Sequence, residues 1–218
     1  MTGPAAQPDS VYSGLRSSII DQVDAPGSTI TEAAVAERFG IARPTAKLAI
    51  ERLVTEGLLQ REAHRTARVP ELDRSAIADL FENRALVESA ALAKLSQDGT
   101  IPAAALRAHR ALQHSAETGT PFAEHDIEFH RALVTAQSSP RLARMHALLM
   151  GEIELCIGQV QARHLLAATA VAEQHQGILD AVLRGDSVQA AMLTREHIDG
   201  ARDRLLMLFD ERQDHAHG

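Results

Sequence analysis

Phe39-Gly40-Ile41-Ala42-Arg43-Pro44-Thr45-Ala46-Lys47-Leu48-Ala49-Ile50-Glu51-Arg52-Leu53-Val54-Thr55-Glu56-Gly57-Leu58-Leu59 is the stretch that decides the fold of the N-terminal part of this 218-residue chain. After the short turn Gly40-Ile41-Ala42, the spacing of Ala46, Ile50, Leu53 and Val54 predicts a helix from Arg43 that closes at Gly57. Working upstream, a helix runs from Thr31 through Val35 to Phe39, with Thr29 and Glu32 spaced as a capping pair. A further helix covers Val11 to Val23, with Leu15 and Ile19 inward, and Pro26-Gly27 stops it. Downstream, Leu58-Leu59-Gln60-Arg61 and Thr66-Ala67-Arg68-Val69 read as two short strands around a polar tip at Glu62 to Arg65. Two helices joined by a glycine turn and followed by a β-ribbon make a winged helix-turn-helix, whose second helix can lead into the major groove of DNA.

Charge supports a division of labour. The chain has a formal net charge of −7, which argues against a wholly basic nucleic-acid coat. Residues 1–72 hold eight Lys and Arg against nine Asp and Glu, whereas residues 73–218 hold 14 against 20. Within 43–68, six cations (Arg43, Lys47, Arg52, Arg61, Arg65 and Arg68) face three glutamates, a local excess able to hold phosphates. Ten of the 11 histidines lie beyond residue 72, His64 being the exception. The break is expected near Val69-Pro70-Glu71-Leu72, where proline turns its predecessor away from helix. The domains are therefore read as 1–72 and 73–218, and the linker near Pro70 as the element that transmits a signal between them.

The quoted run resembles the DNA-binding signature of GntR-type bacterial transcription regulators. That resemblance implies that Arg43 and Lys47 contact operator bases or phosphates, with Thr45 beside them in the DNA-binding set. It also implies that Arg52 touches the backbone and that the ribbon tip at His64 and Arg65 reaches the minor groove. Three positions depart from the family pattern. Ala42 lacks the hydroxyl usual before the helix, Lys47 replaces an arginine fork by a point charge, and Thr66 lies near the usual wing glycine.

From Asp73 onward the pattern is helical, with candidate spans 73–97, 102–118, 121–136, 139–161, 168–184 and 187–209. Aromatic residues make up 3% of the chain, and strand formers are scarce. The fold class is thus mostly α, a winged helix-turn-helix followed by an antiparallel all-α bundle of about six helices. Asp126 and His130 are four apart on one face with Phe122 and Leu133. His175 shares a stripe with Ile178, Leu179 and Val182, and His197 with Leu193, Ala201 and Leu205. One divalent cation would satisfy all four inward polar groups. Three nitrogens and one oxygen suit Zn²⁺ or Ni²⁺, with Mn²⁺ or Fe²⁺ as further candidates. A hydrogen-bonded core imidazole is the commoner fate of any single such histidine, and His109 and His146 also border apolar stripes.

The combination Asp126-x-x-x-His130, His175 within Glu173-Gln174-His175-Gln176-Gly177-Ile178-Leu179-Asp180-Ala181, Gly185-Asp186 and then His197 resembles the FCD effector-binding domain of the FadR branch of GntR regulators. Six helices resemble its VanR-like subgroup. That resemblance singles out Asp126, His130, His175 and His197 as metal ligands and implies that the metal helps to hold a small carboxylate effector. Arg84 lies on the stripe Ile77, Leu80, Phe81, Val87 and Ala91, where a guanidinium needs an anion. It is read either as paired internally with a glutamate such as Glu152 or Glu154, or as the partner of an effector carboxylate.

The expected protein is a cytoplasmic homodimer that binds palindromic double-stranded operator DNA and senses a small organic acid at a divalent-metal site. No catalytic residue, nucleophile elbow, phosphate loop or membrane segment is read, and Cys156 is taken as a packed small hydrophobe. Two alternatives stay open: a hydrolase-like metalloenzyme whose open metal position activates water, and a regulator that senses the metal itself.

Overall fold

The computed structural model describes residues 8–62, 65–160 and 168–217, so His64 of the expected wing tip lies outside the described residues. The chain divides into two compact units, Met1–Asp73 and Arg74–Gly218.

In the first unit, α1 (Pro8–Ile20), α2 (Glu32–Phe39) and α3 (Arg43–Thr55) pack pairwise through α3. Val11, Leu15 and Ile19 from α1 meet Ile50 and Leu53 from α3 in a core where all are at most 1% exposed. Each such side chain contributes about 1.5–3 kcal/mol through burial. α1 ends earlier than the apolar spacing suggests, with Gln22 at φ 58°. Thr31, not Thr29, caps α2: its hydroxyl accepts from the Ala34 N–H at 3.1 Å. Gly40 closes α2 at φ 63°, and its N–H reaches back to the last carbonyls, a conformation that a glycine adopts without strain. The tight turn into α3 depends on it.

The wing differs from the expected hairpin. Its ladder joins β1 (Thr29–Ile30) to β2 (Ala67–Arg68) in antiparallel register, Thr29 opposite Arg68. Of the strand expected at 58–61, only a bridge from Gln60 to Arg68 forms. The reason is local: the Leu58 and Leu59 N–H groups both donate to the Leu53 carbonyl and finish the C-terminus of α3, so they are unavailable to a ladder.

α3 starts at Ala42 with extended backbone and no side-chain cap; Pro44 has no N–H, so the amide open to a capping hydroxyl is that of Thr45, which here reaches only the Ala42 carbonyl at 3.0 Å. Ala42→Ser should therefore stabilise this unit by about 1 kcal/mol. In urea titration the midpoint rises while the slope stays constant.

The second unit consists of α4 (Arg74–Asp98), α5 (Ala103–Thr118), α6 (Ala123–Thr135), α7 (Pro140–Val160), α8 (Ala168–Leu183) and α9 (Ser187–His217). α4 and α9 share the most extensive contact, and α6 and α8 close over them. Ala91, Ala105, Ala108, Ala132, Ala181 and Ala190 let the helices approach closely around Leu92, Phe129, Leu133, Ile178 and Val182. α9 continues beyond the expected end at 209 because neighbouring helices tie it down. Arg74 on α4 pairs with Asp210 at 3.1 Å, and Arg212 donates to the Gln159 carbonyl on α7. Among the described residues, no helix is long and apolar enough to cross a membrane.

Candidate metal centre

Asp126 and His130 lie one turn apart on α6, His175 lies on α8 and His197 on α9, so three helices aim four donors at one point. One ligand atom from each lies within 4.8 Å of every other. From Asp126 Oδ1 the distances are 3.1 Å to His175 Nε2, 3.7 Å to His197 Nε2 and 3.8 Å to His130 Nε2. His130 Nε2 and His197 Nε2 stand 3.1 Å apart. Ligands held at about 2.1 Å from one tetrahedral ion are separated by about 3.4 Å, so the spread suits a single coordination sphere.

The outer edges of the rings fix which nitrogen faces inward. His197 Nδ1 donates to Gln174 Oε1 at 2.8 Å. His130 Nδ1 lies 2.6 Å from Glu88 Oε2, close enough to pair although not aligned as a hydrogen bond. Each ring thus turns its outer nitrogen toward an oxygen and its Nε2 inward, the arrangement that second-sphere carboxylates and amides impose on metal-bound histidines. His175 is held differently: its ring stacks on Phe129 with centroids 3.8 Å apart and planes at 10°.

With both outer nitrogens protonated, the two inward Nε2 lone pairs would face each other at 3.1 Å and repel unless a cation lies between them. Asp126 Oδ1 and His175 Nε2 are also buried without a hydrogen-bond partner among the described residues, despite their 3.1 Å separation. The residues present thus fit a divalent cation, which would satisfy the four donors together. Asp126 is 15% exposed while the three histidines are at most 3% exposed, so the carboxylate forms the outer edge of the site.

Electrostatics keeps the donors in ligating form. Burial pushes His175 down to about 4, against the pull of Asp126. Burial, and then His175 and His130, hold His197 well below the ordinary imidazole value. Burial alone would raise the Asp126 carboxyl, but the His175 contact and the nearby His130, His175 and His197 imidazoles hold it below the ordinary carboxylate value. A cation entering at neutral pH therefore displaces no proton from His175 or His197. The metal-free protein should lose stability as pH falls from about 6.5 to about 4, because in this window the unfolded chain protonates a His175 that the folded chain keeps neutral. Above 6.5 the contribution is constant. The loss is of order 3 kcal/mol for this group, measurable by urea denaturation of chelator-treated protein across that range.

Behind His130 lies a buried network centred on Glu88, a residue not among the expected site residues. Glu88 on α4 is fully buried. Its Oε1 receives Arg84 Nε at 2.9 Å and sits 2.9 Å from His146 Nε2. Arg84 therefore pairs with Glu88 one turn along its own helix, rather than with Glu152 or Glu154. Its Nη2 remains buried without a partner. His109 and His146 stay outside the quartet: His109 Nε2 meets Gln176 Oε1 at 3.2 Å, and His146 belongs to Glu88. Cys156 is fully buried, and burial pushes its thiol up to about 12, which suits a packing role.

Residues 7–69 match the family described as bacterial regulatory proteins, gntR family, and residues 79–200 match the FCD domain. The chain belongs to the GntR family. It is a transcription regulator of that family with a C-terminal FCD domain.

Relatives agree with this assignment. An uncharacterized HTH-type transcriptional regulator, BphR of Paraburkholderia xenovorans, is 24% identical over 203 residues, spanning 88% of this chain and 82% of that protein. Among solved structures, a putative transcriptional regulator GntR from Rhodococcus sp. RHA1 has a TM-score of 0.72 at 23% identity, with 91% of this chain and 97% of that chain covered. E. coli McbR/YncC has a TM-score of 0.70 at 18% identity, with coverage of 96% and 100%. At these identities the two structures speak for the fold.

The GntR unit carries its cations in unequal states. Arg43, at the start of α3, is exposed, and Thr45 beside it is half-buried. Lys47 is exposed on the same face and lies 3.7 Å from Glu51. Arg65 is 74% exposed and pairs with Glu62 at 3.1 Å. Arg52 is more committed, since its guanidinium lies 3.6 Å over the Tyr12 ring and pairs with Glu56 at 3.2 Å and Asp9 at 3.5 Å. That set braces α1 against α3.

Proposed function

We propose that this GntR regulator is a homodimer that binds a palindromic operator through Arg43, Thr45, Lys47, Arg52, His64 and Arg65. In this reading the FCD domain holds one divalent metal, Zn²⁺ or Ni²⁺ foremost and otherwise Mn²⁺ or Fe²⁺, on Asp126, His130, His175 and His197. A small organic acid binds there, with Arg84 receiving its carboxylate. The observation that carries the reading is the pair of inward Nε2 atoms of His130 and His197, 3.1 Å apart with their outer nitrogens facing acceptors. When bound, the metal supplies a positive charge on which an anionic ligand can be held.

The chain's own residues do the rest. Glu88 and Gln174 orient the rings, and the apolar packing around Phe129 keeps water from the inner faces. Arg84 Nη2 offers a buried, unused donor, which suits a fork for an oxyanion. Effector binding changes operator affinity only if it favours one arrangement of the DNA-binding units, a coupling of about 1–3 kcal/mol in typical cases. Dimerisation is supported by Leu86 on α4 and by Met145 and Leu148 on α7, exposed apolar side chains on two helices that pack together. A two-fold pair of α3 helices doubles the DNA readout.

Arg43→Ala should weaken operator binding at least tenfold, as measured by fluorescence anisotropy, while the metal content of the purified protein stays the same. Unchanged affinity would remove Arg43 from the DNA contact. The same assay with metal alone and with metal plus organic acids separates a metal sensor from an acid sensor. Metal-dependent turnover of esters or amides would support the enzyme reading instead.

A further inference from the structure

The proposed metal and Arg84 account for one acidic group of an effector, and α9 holds another cation with open donors. Arg204 lies seven residues beyond His197, about 20° away around the helix and about 10.5 Å along it. Its side chain leans back toward that ligand: Nη1 stands 3.2 Å from the place a Cβ on Gly200 would occupy. With glycine at 200, the guanidinium can lie flat against the preceding turn, about 4.5 Å along the axis from the level of His197. Burial pushes Arg204 below its ordinary value, with the Asp203 and Asp126 carboxylates pulling the other way, so the group feels the charge of the metal centre.

Arg204 Nε and Nη2 are buried and have no hydrogen-bond partner among the described residues. Other arginines of α9 are engaged: Arg195 reaches Glu82 at 3.4 Å, and Arg202 holds Asp199 and Asp203 at 2.9 Å each. Arg202 thereby takes the acidic neighbour of Arg204. Arg84 is in a similar state, with Nε committed to Glu88 and Nη2 open. Two guanidiniums with buried, unmet donors are unfavourable unless an anion joins each of them. A single carboxylate next to the metal and Arg84 leaves Arg204 unanswered.

We propose that the effector is a small dicarboxylate, one carboxylate held by the metal and Arg84 and the second received by Arg204. The inference rests on the metal-and-carboxylate reading above and specifies its ligand. It assigns Arg204 a binding role and makes Gly200 the residue that lets its side chain reach the site.

The test is calorimetric titration of the zinc-loaded full-length chain with succinate and glutarate, each against the monoacid of equal carbon number, butyrate or pentanoate. At least one diacid should bind tenfold or more tightly than its monoacid. Arg204→Met should reduce the diacid to the monoacid's affinity and leave the monoacid unchanged, whereas Arg84→Met should weaken both. Because Arg204 has open donors, Arg204→Met should fold with a ligand-free Tm equal to or above that of the parent. A lower Tm would mark a structural partner and overturn the inference. Monoacids binding as well as diacids would overturn it too, while leaving the metal-and-carboxylate reading in place. Absence of binding by every acid to protein that retains its zinc would overturn both.

Discussion

Glu88→Ala should destabilise the metal-free protein by about 3–5 kcal/mol, the usual cost of removing one partner from a buried ionic pair. Glu88 is fully buried and serves Arg84, His146 and His130 together, at 2.9, 2.9 and 2.6 Å. Burial alone would raise its carboxyl, but Arg84, His130 and His146 hold it well below the usual carboxylate value, so the group is ionised in the folded state at neutral pH. Alanine leaves a guanidinium that is 2% exposed without its counter-charge and opens a cavity beside it. Urea denaturation of chelator-treated protein measures the loss. Metal affinity should fall as well, by about 10–100-fold, because His130 loses the acceptor that keeps its proton on the outer nitrogen. Glu88→Gln retains an oxygen at that place and should preserve more of the metal affinity than of the stability. A Glu88→Ala protein as stable as the parent would mean that Arg84 and His146 find other partners.

Asp126→Ala should act in the opposite manner, with a small effect on the empty fold and a large one on metal binding. Structural zinc sites are worth about 10–16 kcal/mol over four ligands, so one ligand accounts for about 3 kcal/mol, or a roughly hundredfold loss of affinity. Asp126 is also the only anionic member of the quartet, which places the loss at the upper end. Competition with a chromogenic chelator reads it directly. The stabilisation conferred by a fixed metal concentration should shrink accordingly, since it follows the ratio of free metal to Kd. Equal affinity in parent and variant would take Asp126 out of the coordination sphere.

The helix-turn-helix was legible because its signals are local. Gly40 closes one helix in the left-handed conformation, and the stripe Ala46, Ile50 and Leu53 is buried as its spacing requires. The wing was less legible, because its ladder joins Thr29–Ile30 to Ala67–Arg68, far apart in sequence and too short to show alternation. The six later helices were legible from apolar periodicity, although the end of α9 depends on Asp210 and Arg212 finding partners on α4 and α7.

In the candidate site, spacing placed Asp126 with His130 and put His175 and His197 on inward stripes. His109 and His146 met the same criterion; the resemblance to the FCD domain left them out, and the packing of the helices gives each a polar partner of its own. Glu88 left a usable trace in the sequence: Arg84-x-x-x-Glu88 is an i, i+4 pair on the stripe already identified as inward, nearer to Arg84 than the glutamates of α7. Arg204 left none. Within Arg202-Asp203-Arg204, one arginine is paired and the other has open donors, and the difference arises from which way each faces around α9.

The most direct measurement is the metal stoichiometry of full-length protein dialysed against micromolar Zn²⁺ or Ni²⁺, compared with the His130→Ala, His175→Ala, His197→Ala triple variant. The quartet predicts one ion per chain in the parent and none in the variant, with both folded by circular dichroism. A parent that retains no ion, or a variant that retains as much as the parent, would contradict it.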